Sequence, residues 1–107
     1  MIAAPHRAAA LFAALGDETR LRVLLRLAHH GPASIAGLSA EADVTRQAVT
    51  KHLRVLARAG LVSGRRHGRE HLWRCRAAGL TEAQRFLARV AEQWDGALAR
   101  LKDFVEP

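Results

Sequence analysis

The chain of 107 residues is half apolar and a quarter charged, enough for one folded core and too short for two, so residues 1–107 are expected to form a single domain. Only 5% of residues are aromatic, and Ala, Leu and Arg dominate, which favours helices over a large β-sandwich or barrel. The formal net charge of +7 points to a polyanionic partner.

Pro5 suits a helix start, and Ala8, Leu11, Phe12 and Leu15 follow at helical spacing up to Gly16. Asp17 is a good N-cap for a second helix, with Leu21, Leu24, Leu25 and Ala28 on one face. His29 and His30 fall in its last turn as surface residues, and Gly31-Pro32 stops it. Ser34 caps a short third helix over 35–42, and Asp43-Val44 makes a tight turn. Thr45 caps a fourth helix over 46–59, whose apolar positions are Val49, Leu53 and Leu56 and which Gly60 closes in the left-handed conformation. The pattern then changes. Residues 61–66 and 69–75 read as two strands around a turn at His67-Gly68, a β-hairpin. Thr81 and Gln84 form a capping box, which predicts a long last helix over 82–104. Phe86, Val90, Trp94, Ala97, Leu101 and Val105 recur along it every three or four residues. The expected class is therefore mainly α, in the order α-α-α-α-β-β-α. Two helices joined by a short turn and followed by a hairpin make a winged helix-turn-helix.

The charges are not spread evenly. Residues 46–76 hold nine basic residues and one acid, Glu70, for a local charge of +8, so the rest of the chain carries −1. A helix fits the major groove of DNA, and side chains near its N-terminus meet base edges. In this sequence those are Thr45, Arg46, Gln47, Thr50 and Lys51, with Arg54 on the next turn. Arg bonds bidentately to guanine and Gln to adenine, and the N–H groups behind Thr45 favour phosphate. Arg65, Arg66, His67 and Arg69 lie at or near the hairpin tip, suited to phosphates or to a flanking minor groove. Two competing readings use the same residues. One is a solvated helix face with a charged edge strand. The other is a basic helical module that grips RNA or an acidic protein.

Residues 45–56, TRQAVTKHLRVL, followed by Ala59-Gly60-Leu61-Val62, resemble the recognition helix and wing start of the ArsR family of bacterial winged-helix repressors. Leu15-Gly16-Asp17-Glu18-Thr19-Arg20-Leu21-Arg22 is similar to the opening of that family's second helix, and Gly68-Arg69 also matches at the wing. The resemblance spans nearly the whole chain. It implies a homodimer, joined through the first and last helices, that represses transcription from a palindromic DNA operator until an inducer binds. The apolar stripe supports such an interface independently. Leu11 and Phe12 on the first helix and Phe86, Val90, Trp94, Ala97 and Leu101 on the last are the expected interface residues. The inducer, where one exists, is a small molecule or a protein acting there.

Many members of that family sense metals, and those ligands are missing. The family's Cys-x-Cys pair falls on Ser34 and Ala36, and the last helix holds no His. His67, His71 and Cys75, four residues apart, are too far apart along an extended strand for one ion. His52 is expected to pack or bond locally, and Cys75, the one cysteine, to be a small buried strand residue. No catalytic arrangement appears: there is no nucleophile beside a base, no phosphate-cradling glycine loop, and Glu92 and Asp95 read as a solvated face. No metal and no cofactor are expected. No apolar run approaches the ~18 residues of a membrane span. The opening Met1-Ile2-Ala3-Ala4-Pro5-His6 lacks the pattern of a secretory leader, so a cytoplasmic location is expected.

Overall fold

The computed structural model describes residues 5–105; residues 1–4, where the absence of a leader is expected, and 106–107 lie outside them. Eight elements follow in order: α1 (Pro5–Leu15), α2 (Glu18–His30), β1 (Ala33–Ser34), α3 (Ile35–Ala42), α4 (Arg46–Arg58), β2 (Val62–His67), β3 (Glu70–Cys75) and α5 (Ala77–Val105). Five helices and one small sheet make a winged helix-turn-helix, as expected.

Capping sets most of the boundaries. The Asp17 carboxylate accepts from the Arg20 N–H at 2.9 Å and starts α2, while the Arg20 guanidinium donates to the Ala13 carbonyl at 3.2 Å and ties the end of α1 to it. Ser34 Oγ accepts from the Gly37 N–H at 3.1 Å, and Thr45 Oγ1 accepts from the Ala48 N–H at 3.1 Å. Between α3 and α4, Asp43 takes the left-handed conformation at φ 53°, a position that Asp tolerates. The Ser39 hydroxyl donates to the Val44 carbonyl, so a side-chain bond closes the turn as well.

One core lies beneath these helices. Leu11, Leu24, Leu27, Leu38, Val49, Leu53, Leu56, Leu61 and Val62 are all buried. The predicted face of α4 is therefore the observed one. That of α2 is rotated. Val23, Leu24 and Leu27 face inward, whereas Leu21 and Leu25 remain 38% and 44% exposed and Ala28 is also outside. Two apolar stripes overlap at Leu24, and periodicity alone does not choose between them.

The sheet has three strands in the order β1-β3-β2, all antiparallel. The two-residue β1 was not expected. Ala33 pairs with Trp73 and Ser34 with Leu72, a ladder too short to leave an alternation in the sequence. The hairpin turn is shifted by one residue from its expected place. His67 is the last residue of β2 and pairs with Glu70, which leaves Gly68-Arg69 as the turn. Gly68 has φ 66°, and Arg69 is not among the residues of positive φ, the pattern of a two-residue hairpin with glycine in its first central position.

The last helix begins five residues before its expected start. Thr81 and Gln84 thus sit inside α5 and do not cap it. The reason is packing. Gly79 is buried against the backbone of Gly60 and Leu61, where a β-carbon would overlap the Gly60 carbonyl. The Arg76 N–H also donates to the Leu61 carbonyl at 2.8 Å. These contacts dock the chain just after the wing, and the helix starts from there. At 29 residues α5 is about 43 Å long. The radius of gyration is 18.1 Å, against ~13 Å for a compact chain of this length, because the far half of α5 extends beyond the core.

Candidate nucleic-acid interface

Thr45, Arg46, Gln47, Lys51, Arg54 and Arg58 are exposed along α4, while Thr50 is half-buried. Val49, Leu53 and Leu56 are held in the core on the opposite side, so burial of one stripe fixes which residues point outward. Arg46, Gln47, Thr50, Lys51, Arg54 and Arg58 line a shallow groove of about 640 Å³ with the half-buried Val55; Thr45 is exposed but not part of its lining. Arg58, one of the nine basic residues of the 46–76 stretch, shares this outward face. The Thr50 hydroxyl donates to the Arg46 carbonyl at 2.7 Å, which leaves its oxygen lone pairs and methyl group as what it offers outward.

Arg65, Arg66, His67 and Arg69 are all exposed on the β2–β3 hairpin. The register places Arg66 opposite His71 and His67 opposite Glu70. His67 and His71 thus lie on different strands, a correction to their expected spacing along one strand. Among the described residues no three His, Cys, Asp or Glu side chains come close enough to hold a metal ion. At the expected Cys-x-Cys positions, Ser34 Oγ caps α3 and Ala36 is exposed.

The decisive feature of this face is its lack of counter-charge. Among the described residues the ion pairs are Arg7–Glu82 at 2.8 Å, Arg22–Glu18 at 2.7 Å and Arg26–Glu41 at 2.6 Å. All three lie outside residues 46–76. Among the described residues none of the nine basic residues in that stretch has an acidic partner, and Glu70 has no basic one. An unpaired cationic surface of this extent is suited to phosphates, because releasing their counterions favours binding. His52, on α4 itself, is half-buried, and its Nδ1 is buried with no hydrogen-bond partner among the described residues. The nearby Asp17 carboxyl is held below the usual carboxylate range, chiefly by the Arg20 N–H, with smaller help from His52 and Arg20 and against some desolvation. Cys75 is half-buried, and burial pushes its thiol up, the reverse of an activated nucleophile.

The interface residues expected on the terminal helices divide into two groups. Leu11 is only 1% exposed and belongs to the chain's own core, so it has no surface left for a second copy. Phe12 and Phe86 are half-buried against each other, with ring centroids 5.7 Å apart. Val90, Trp94 and Leu101 are exposed and Ala97 is half-buried. Leu87, Leu98 and Phe104 extend the same stripe, and the sequence reading missed them. Their helical spacing from Trp94 and Leu101 was the available signal.

Residues 15–65 match the helix-turn-helix domain family. The HTH-type transcriptional regulator Rv2034 of Mycobacterium tuberculosis is 39% identical over 80 residues, covering 71% of this chain and 74% of that protein. The structure of an ArsR-like transcriptional regulator from Rhodococcus sp. RHA1 is 39% identical, covers 94% of each chain and superposes with a TM-score of 0.86. The chain belongs to the ArsR family of helix-turn-helix transcriptional regulators. ArsR-family proteins are DNA-binding regulators and not enzymes. A second similar structure is the homodimeric winged helix-turn-helix DNA-binding domain Mb0332 from Mycobacterium bovis. It is 27% identical, covers 89% of this chain and 84% of that one, and has a TM-score of 0.65. Within this ArsR-family fold, α3 and α4 are the helix-turn-helix and β2–β3 the wing.

Proposed function

We propose that this ArsR-family regulator is a homodimeric repressor that binds a palindromic operator and is not gated by the family's metal sites. The single observation that carries the reading is the unpaired cationic face formed by the outward side of α4 and the tip of the wing. Arg46 and Gln47 on the first turn of α4 reach base edges in the major groove, with Thr45, Thr50 and Lys51 around them. Arg54 and Arg58 hold the adjacent phosphates. Arg65, Arg66, His67 and Arg69 place the wing on the flanking backbone or minor groove. Two copies join through the stripe of α5 and the Phe12 side of α1. Their reading helices then meet successive major grooves about 34 Å apart. Residues 1–107 act as one such domain, in the cytoplasm where the operator is.

Footprinting on the DNA upstream of its own gene, followed by titration of that segment and a scrambled duplex between 50 and 200 mM salt, tests the reading. A protein with six to ten phosphate contacts loses ~10³–10⁵ in affinity over that range while still preferring its operator. Equal affinity for operator and scrambled DNA at every salt concentration refutes it and favours a basic module for RNA or an acidic protein.

A further inference from the structure

The basic tip of the wing stands clear of the core. At the base of the hairpin the buried Val62 pairs with the half-buried Cys75, and beyond that pair residues 63–71 hold no apolar side chain. The short β1 supports β3 only at Leu72 and Trp73, so Arg66-His67 and Glu70-His71 form a ribbon of two strands. Such a ribbon is marginally stable in water by itself. Arg66 and His67 nevertheless lie on it, with Arg69 in its turn and Arg65 at its root. The direction of these side chains is therefore set where the ribbon joins the three-stranded part of the sheet.

A single row of residues makes that junction. Trp73 pairs with Ala33 on one side and Gly64 on the other, both small enough for an indole to lie across the row. Trp73 packs against the buried core, and His71 stacks on it with ring centroids 4.9 Å apart and an interplanar angle of 27°. The Trp73 Nε1 is buried without a hydrogen-bond partner among the described residues, so packing holds the ring. Gly64 supplies the space. A β-carbon there would come within 2.5 Å of His71 Nε2 and 3.1 Å of two Trp73 ring carbons. Glycine inside a strand weakens it unless an aromatic neighbour covers the gap, and here two rings do. Contacts thus run from the core through Trp73 to His71 on the ribbon. From Gly64 to the turn at Gly68 is ~13 Å of strand, so a swing of ~20° about the row moves the turn by ~4–5 Å, enough to break a phosphate contact.

We infer that Trp73, seated over Gly64, is the positioning residue of the wing and fixes the direction in which Arg65, Arg66 and Arg69 approach DNA. The DNA half of this inference rests on the proposed role of the wing, and the hold on the hairpin does not. Amide hydrogen exchange of the full chain reads the hairpin, and anisotropy titration on the footprinted operator over the same salt range reads the DNA contacts. Gly64→Ala drives a methyl group into both rings. Its amides over residues 64–71 are expected to exchange about tenfold faster while those of α4 stay as they were. Its salt slope is expected to fall by ~2–3, close to one for each wing arginine that loses its phosphate, with the base preference due to Gln47 retained. Adding His71→Ala removes the group that the methyl meets first, lets Trp73 settle back on the row, and is expected to restore at least half of the lost slope. Trp73→Val is expected to lose the same slope, and His71→Ala is expected not to restore it. Replacing Arg65, Arg66 and Arg69 together by Gln is the control, expected to lower the slope by ~3.

Hairpin exchange unchanged in Gly64→Ala overturns the hold on the hairpin. Faster exchange with an unchanged slope, when the triple Gln variant lowers the slope, overturns the positioning of the DNA contacts. A loss of affinity equal at every salt concentration overturns it too, since a merely destabilised fold behaves that way. An unchanged slope in the triple Gln variant overturns the DNA role of the wing and leaves the hold on the hairpin, which exchange reads by itself. Gly64→Ala with and without His71→Ala keeps Trp73 against the core, so this pair decides the matter even where Trp73→Val loosens the whole fold.

Discussion

Trp94 offers the sharpest test of how two copies assemble. In the single chain it is 64% exposed, midway along a stripe that includes Val90, Leu98 and Leu101. Burying a large apolar side chain completely is worth about 1.5–3 kcal/mol, so covering the part that remains exposed is worth about 1–2 kcal/mol. A symmetric dimer buries two copies, so Trp94→Ala should cost about 2–4 kcal/mol of association free energy. That raises the dimer dissociation constant roughly thirty- to several-hundred-fold. Sedimentation equilibrium across a range of concentrations measures it directly. Because Trp94 takes no part in the chain's own core, the helical circular dichroism of the variant should match that of the unaltered protein. A dimer constant changed by less than threefold, with the fold intact, would refute the stripe as the interface.

Other substitutions probe separate links. Gln47→Ala should relax base preference at one operator position at a cost of ~1–3 kcal/mol, whereas Arg66→Ala should weaken all sequences alike and lower the salt slope by ~1. Binding titrations against single-base operator variants at several salt concentrations distinguish the two. Gly79→Ala forces a β-carbon into the Gly60 carbonyl, an overpacking that should cost ~1–3 kcal/mol and lower the thermal midpoint by roughly 4–8 °C per kcal/mol. Asp17→Asn keeps the cap of α2 and removes its charge. Since the folded-state value of Asp17 is depressed, its charge stabilises the fold above the unfolded carboxylate range. That advantage over the variant should be full near neutral pH and fade as pH falls below about 4, as denaturant titrations at each pH would reveal.

The elements that were legible in the sequence are those whose signals are local. Asp17, Ser34 and Thr45 each cap the helix they precede, and the burial of Val49, Leu53 and Leu56 follows from one unambiguous stripe. The charge of residues 46–76 was legible as composition, but that none of these residues has an acidic partner among the described residues depends on where the ion pairs fall in space. The features that were not legible depend on contacts distant in sequence. Thr81 and Gln84 have the right residue types for a cap, yet Gly79 meets Gly60 and starts the helix earlier. The β1 pairing of Ala33 with Trp73 spans forty residues and leaves no period behind. Leu11 and Phe12 are neighbours on one helix and read alike, but one turns into the core and the other toward Phe86.

The length of α5 gives these distant contacts their consequence. Its first turns rest on the segment after α4, its next turns meet α1 through the Glu82–Arg7 pair, and its exposed stripe begins at Leu87. From Gly79 to Phe104 the helix runs about 37 Å. A tilt of about 5° at its anchored end therefore moves its far end by about 3 Å, close to the ~3.4 Å step between bases along a DNA strand. If the far end is fixed against a second copy, the same tilt appears instead at the reading helices. In the proposed dimer, two heads matched to half-sites about 34 Å apart tolerate little change of that size. In the proposed dimer, a stiff helix anchored on the segment behind the reading helix thus ties the seating of the second copy to the direction in which that helix points.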